Sequence, residues 1–214
     1  MTQKVFWSAP YQTELDTVVT QVVGDQVQVE KTIFFAFSGG QESDSGTLGG
    51  HPVRLAEKQG LDITYTLPPE HNLKVADQVT LRIDWDRRYR LMRLHFAAEM
   101  VLQLVYQHRP GIERIGAHIS QDKARIDFAS EVSLAPLLPT IEQEAARLTK
   151  SDLPIITAFS DEQAERRYWE VDGFARMACG GTHPRTTAEI GLLKLKRKNT
   201  GKGKERIEVT LLQP

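Results

Sequence analysis

The chain has 214 residues, 40% of them hydrophobic and 26% charged, with a net charge of −1 and a single cysteine. That composition fits a globular chain of one large or two small domains and excludes fibrous, disordered and disulfide-stapled classes. No stretch reaches the roughly 18 consecutive apolar residues of a membrane span, and the opening "MTQKVFWSAPYQTEL" lacks the apolar core of a signal peptide, so a cytoplasmic protein with no membrane partner is expected.

Residues 1–83 read as β. "TVVTQVVGDQVQVEKTIFF" alternates apolar and polar residues around a Gly24-Asp25 turn, and "HPVRLAEKQGLDITYTL" and "DQVTLRID" continue as short strands of a small barrel or bent sheet. Between them lies "FSGGQESDSGTLGG", with glycines at 39, 40, 46, 49 and 50, a loop too long for a simple turn. A domain boundary is expected near Asp84, where the pattern changes. From Asp84 to His108 the chain is free of Gly and Pro, carries Leu91, Leu94, Ala98, Val101, Leu102 and Val105 at helical spacing, and stops at "RPG". Strands follow at "IERIGAHIS" and "ARIDFAS", then a helix at "LLPTIEQEAARLTKS" and a mixed stretch up to "YWEVDGFARMA". "EIGLLKLKRK" and "ERIEVTLLQ" close the chain as a hairpin, with Leu193 and Leu195 on one face and Lys194 and Lys196 on the other. Helices and strands in no regular βαβ order predict an α+β fold: an N-terminal β-barrel-like domain over 1–83, then an α/β-mixed domain with an antiparallel sheet over 84–214.

Charge is uneven. "KLKRKNTGKGKER" holds Lys194, Lys196, Arg197, Lys198, Lys202, Lys204 and Arg206 against Glu205 alone, and "RRYRLMR" adds Arg87, Arg88, Arg90 and Arg93. Two readings stand: a face for an anionic partner, or a solvated hairpin rich in lysine.

Two pairs of potential metal ligands stand out. His95 and Glu99 lie four apart on the long helix and so share a face, a spacing that serves either two ligands of one ion or a simple histidine–carboxylate hydrogen bond. In "CGGTH", Cys179 and His183 have the same separation, but Gly180 and Gly181 argue against a helix and let the backbone fold tightly around an ion or substrate. Zinc accepts thiolate and imidazole, and a catalytic site needs about three protein ligands and an open position, which His95, Cys179 and His183 would supply.

These residues carry a resemblance. "CGGTHPRTTAEIG" is similar to the C-x-x-x-H motif of the alanyl-tRNA editing proteins (AlaX), relatives of the editing domain of alanyl-tRNA synthetase and of the second additional domain of threonyl-tRNA synthetase. "RLHFAAEM" stands where that family has an H-x-x-x-H helix, "FSGGQESDSGT" resembles its glycine-rich loop, and "KVFW..PYQTEL" its opening, so the likeness runs in order from Lys4 to Leu211.

The resemblance implies a zinc-dependent aminoacyl-tRNA deacylase that works in trans, without ATP, on tRNA(Ala) mischarged with serine or glycine. Its partner would be a tRNA acceptor end, not DNA. By the same likeness, His95, Cys179 and His183 fall on zinc ligands. Gln41 falls on a catalytic glutamine of the loop, and Gly39, Gly40, Phe96 and Thr182 on substrate contacts. Arg87, Arg88, Lys194, Lys196, Lys198, Lys202 and Lys204 are the expected tRNA contacts. Two positions depart from the family: Glu99 replaces the helix motif's second histidine, and Phe96 replaces the threonine that usually follows the first. Glu99 is then a fourth ligand, a general base, or the mark of a decayed site. The alternatives in function are a catalytically silent tRNA-binding relative and a metal-dependent hydrolase of another acyl ester.

Overall fold

A computed structural model describes residues 1–212, so Gln213, the last residue of the predicted closing strand, lies outside the described residues. The protein is mixed α/β with sheets that are mostly antiparallel, and it forms two compact units, Met1–Tyr89 and a second that begins at Arg90.

In the first unit, strand β1 (Gln3–Lys4) pairs in parallel with β4 (Lys31–Thr32). Strands β2 (Glu14–Val23), β3 (Gln26–Val29), β5 (Gly46–Leu48), β6 (His51–Pro52), β7 (Leu55–Gln59), β8 (Asp62–Thr66) and β9 (Gln78–Ile83) form one seven-stranded sheet in the order β6-β5-β9-β2-β3-β8-β7. The sheet curls because β2 changes partner: Glu14–Val18 pairs with β9, Val19–Val23 pairs with β3, and a register shift between Val19 and Gln21 marks the handover. It stays open, with β6 and β7 as its edges, so the expected barrel is a half-barrel. Val27, Ile33, Phe34, Leu48, Ile63, Tyr65, Leu67 and Leu81 fill its core. The loop expected after residue 36 begins with a tight turn in which Ser38 and Gln41 bridge through their backbones, and Gly39 (φ 61°) and Gly40 (φ 87°) supply the two left-handed positions that such a turn requires.

Helix α1 runs Trp85–His108. Asp84 caps it, its carboxylate accepting from the Arg87 amide at 3.1 Å, and the chain leaves it through Gly111 at φ 83°. From Leu91 to Val105 nearly every side chain is buried, including Met92, Arg93, His95, Phe96 and Glu99. The expected apolar stripe is therefore only part of a helix enclosed on almost all sides.

The second unit adds β10 (Glu113–Ile119), β11 (Ala124–Ala129), helix α2 (Leu138–Lys150), β12 (Ile156–Asp161), β13 (Arg166–Val171), β14 (Ala175–Ala178), β15 (Leu193–Asn199) and β16 (Lys204–Leu211). One antiparallel sheet has the order β10-β11-β16-β15, and a smaller one the order β12-β13-β14. Leu91, Leu94, Met100 and Val101 of α1 share a core with Ile126, Phe128, Ile141, Trp169, Ile207 and Val209. Period-2 alternation positions the rest: Leu195 is buried while Lys194, Lys196 and Lys198 face outward.

Candidate metal centre

Four side chains from two parts of the second unit converge. α1 supplies His95 and Glu99 from successive turns of one face; the segment after β14 supplies Cys179 and His183. His95 Nε2 lies 3.1 Å from Cys179 Sγ and 3.3 Å from Glu99 Oε2, and His183 Nε2 lies 3.1 Å from the same carboxylate oxygen. The imidazoles meet edge to face at 5.1 Å. One donor atom from each of the four residues falls within 4.8 Å of all the others.

Local structure explains why "CGGTH" reaches the helix. The Cys179 amide donates to the Arg167 carbonyl at 2.9 Å, which extends the β13–β14 ladder by one residue and fixes the thiol. The Gly181 amide then donates to Cys179 Sγ at 3.3 Å. A Cβ at residue 181 would sit 2.6 Å from His95 Cε1, so any other residue there has to displace the imidazole. At Gly180 a Cβ would meet nothing within 4 Å. Only the second glycine is dictated by the approach.

Electrostatics follow from enclosure. Burial works against the His95 imidazolium, but the neighbouring Glu99 carboxylate and Cys179 sulfur outweigh it and hold its pKa well above the ordinary value. His183 is raised in the same way, chiefly by Cys179 once burial is overcome. Burial pushes Glu99 upward, yet His95 and His183 hold it far below the usual carboxylate range. Cys179 is pushed up by burial and by Glu99, but the two imidazoles bring it below an ordinary thiol. Two imidazoles with raised pKa values thus face a thiol and a carboxyl whose pKa values are lowered, a set of donors that suits a divalent cation once the imidazoles are neutral. Nδ1 of both histidines is buried without a hydrogen-bond partner among the described residues, and their Nε2 atoms face the cluster. These four residues could hold a metal ion.

Phe96 is fully buried and stands edge-on to Trp169 at 5.0 Å and to His183 at 6.1 Å, forming a wall behind the second imidazole. Thr182 is also buried, and its hydroxyl has no partner among the described residues. Gln41, Gly39 and Gly40 belong to the first unit. There Gln41 is buried with both amide atoms unpartnered among the described residues.

Of the expected tRNA contacts, Arg88 must be withdrawn. It is fully buried, pairs with Asp44, and donates to the carbonyls of Ile33 and Pro10. Arg87 is mostly covered and pairs with Glu42 at 2.9 Å. Lys194, Lys196, Lys198, Lys202 and Lys204 are exposed. The hairpin is less bare than its sequence suggests, because Glu142 meets Lys194, Glu208 meets Lys198, Glu205 meets Arg197, and Asp127 meets Arg206. Sequence reasoning passed over Arg167 and Trp169, although the alternation Arg167, Trp169, Val171 already marked the inner face of a strand.

A cysteine, two histidines and a glutamate gathered on a mixed α/β scaffold form a candidate metal centre, and residues 170–208 match the family described as the threonyl and alanyl tRNA synthetase second additional domain. The chain is 31% identical to the alanyl-tRNA editing protein AlaX-M of Methanosarcina barkeri, with 99% of this chain and 100% of that protein covered. It is 29% identical to AlaX-M of Pyrococcus horikoshii over 99% of this chain and 98% of that one. It is also 27% identical to the alanine–tRNA ligase of Methanococcus aeolicus, where 98% of this chain matches 25% of the ligase. The chain belongs to the alanyl-tRNA editing (AlaX) family.

Proposed function

We propose that this protein is a zinc-dependent aminoacyl-tRNA deacylase that acts in trans, cleaving serine or glycine from the 3′-terminal ribose of mischarged tRNA(Ala). The single observation that carries the reading is the convergence of His95, Glu99, Cys179 and His183 donor atoms within 4.8 Å, in a member of an editing family. Nitrogen, nitrogen, sulfur and oxygen are donors that zinc accepts in a four-coordinate site. Zinc bound there supplies a Lewis acid for the ester carbonyl, a bound water that ionises near neutral pH, or a hold on the substrate's amino group.

The chain's own residues divide the remaining work. His95, Cys179 and His183 hold the ion. Glu99 acts as the fourth ligand rather than as a free base, because one of its oxygens already lies within 3.3 Å of both imidazoles. The Thr182 hydroxyl contacts the substrate, and Gln41 keeps the catalytic part, and Gly39 and Gly40 the substrate contacts, that the family resemblance implies. Phe96 offers no hydrogen bond and sets the shape of the pocket. Lys194, Lys196, Lys198, Lys202 and Lys204 meet the tRNA backbone, where cations position the acceptor end without reading its sequence. A thiolate ligand suits the reducing cytoplasm.

The decisive experiment offers the zinc-loaded protein a panel of mischarged tRNAs, with and without chelator. Rapid release of serine or glycine that stops on chelation is expected. A protein that holds metal yet releases nothing from any member, while still binding tRNA, would be a silent relative instead.

A further inference from the structure

Next to the metal cluster, on the smaller sheet of the second unit, lies a cation that the reading above leaves without a task. Tyr168 pairs with Ala178 across β13 and β14, so the residue opposite Cys179 is Arg167, and the Cys179 amide bonds to its carbonyl. On the other side of β13, Arg167 pairs with Phe159 of β12. Opposed side chains of an antiparallel pair share one face with Cβ atoms about 5 Å apart. Cys179, Arg167 and Phe159 therefore form a row that leads from a metal ligand to the edge of the sheet.

The guanidinium leans toward that edge. Nη2 donates to Thr157 Oγ1 at 3.1 Å, and the guanidinium carbon lies 5.1 Å from the centre of the Phe159 ring; both partners are on β12. It is not a free surface charge: Arg167 is only 6% exposed, while Phe159, the next in the row, is 38% exposed on an edge strand. An arginine that lies against an aromatic ring, and one of whose nitrogens is already bonded, is held in one orientation with little entropy left to lose on meeting an anion. Its guanidinium fork matches the oxygens of a phosphate.

We propose that Arg167 is a positioning residue that holds the 5′-phosphate of the terminal nucleotide, placing the ester-bearing ribose over the metal cluster. The proposal rests on the deacylase reading for its substrate. A 3′ ester and a 5′ phosphate lie at opposite ends of one ribose, and Arg167 has its backbone opposite Cys179 and its guanidinium toward β12, on the far side from the cluster. Thr157 and Phe159 fix the direction of the fork.

The test compares adenosine with adenosine 5′-monophosphate as ligands of the zinc-loaded protein by calorimetry, and their 3′-O-seryl esters as substrates. The wild type should prefer the phosphorylated form by at least about tenfold, as expected for hydrogen bonds to a charged group. Arg167→Met should remove that preference through KM while kcat on seryl-adenosine and the zinc content stay the same. Equal affinity of the wild type for both ligands overturns the proposal, as does an Arg167→Met protein that keeps the preference or loses its zinc. Should that variant fail to fold, Arg167→Lys and Phe159→Leu carry the test, since each should lower the preference, and an unchanged preference in both is fatal. A wild type that hydrolyses neither ester defeats the deacylase reading instead, while the binding comparison still decides the role of Arg167.

Discussion

Each unit encloses a group of charges, and the two groups are built differently. In the first, Arg88 and Asp44 are both fully buried and every bond is local to the fold: the guanidinium serves Asp44 and two carbonyls, and Asp44 also accepts from the Phe35 amide at 2.6 Å. In the second, His95, Glu99, Cys179 and His183 bond chiefly to one another, and both Nδ1 atoms have no partner among the described residues. A buried ion pair whose donors and acceptors are matched within the fold is a structural rivet. A buried set of four candidate ligands, of three types, that turn toward a common point suits something beyond the chain. The contrast separates the two roles of buried charge without reference to any relative.

The contrast can be broken most directly at the cluster. Replacing Cys179 and His183 together by alanine should reduce bound zinc from about one equivalent to none and abolish deacylation, with urea unfolding of the first unit unaffected; elemental analysis and the deacylation assay report both. Retained stoichiometry would mean that these two residues hold no ion. At the rivet the outcome should be reversed. Arg88→Met strands the Asp44 carboxylate in the interior and should cost about 3–5 kcal/mol of stability, seen as a lower urea midpoint, while any protein that remains folded binds zinc normally.

Two smaller effects sharpen the picture. Glu99→Ala should weaken zinc by at least the roughly 10–100-fold that loss of an outer-shell partner costs, and Glu99→His should restore it, because both side chains project from the same helical face. If Glu99→Ala abolishes turnover but leaves affinity intact, Glu99 is a base and not a ligand. The raised imidazole pKa values fix the sign of a pH effect: below them protons compete with the ion, above them they do not. Affinity should therefore rise with pH through that range, with net proton release on binding the ion, measurable by calorimetry in buffers of different ionisation enthalpy. Smallest of all, changing Lys196, Lys202 and Lys204 to glutamate should weaken many tRNAs alike and flatten the salt dependence, leaving hydrolysis of seryl-adenosine unchanged.

Legibility in the sequence tracked the range of the interaction. The long helix, the closing hairpin and the C-x-x-x-H separation depend on neighbours a few residues away, and each could be read from Gly, Pro and apolar spacing. The proximity of Glu99 to His95 was legible because their i, i+4 relation is local. Pairings over a distance were not. Nothing near Arg88 in the sequence points to Asp44, 44 positions earlier, and the charge count of the hairpin could not foresee that Glu142 and Asp127 would come to Lys194 and Arg206. The exclusion of Arg88 from any RNA face follows only from burial. Arg167 was half legible: strand alternation put it beside Trp169 on an inner face, but only the register with β14 sets it opposite Cys179.

Gly181 has a consequence for anyone who surveys this gene by random substitution. Its amide bonds to the thiol, and its missing side chain is the space that the His95 ring occupies. Any replacement pushes on that imidazole before it disturbs anything else, so the column for position 181 in a mutational scan should resemble those for positions 95 and 179, although glycine donates no electron pair to an ion. Position 180, one residue earlier and open to solvent-sized groups, should tolerate change. Two adjacent identical letters would then give opposite phenotypes, and a screen that scores them separately can tell a site held open by shape from one held by chemistry.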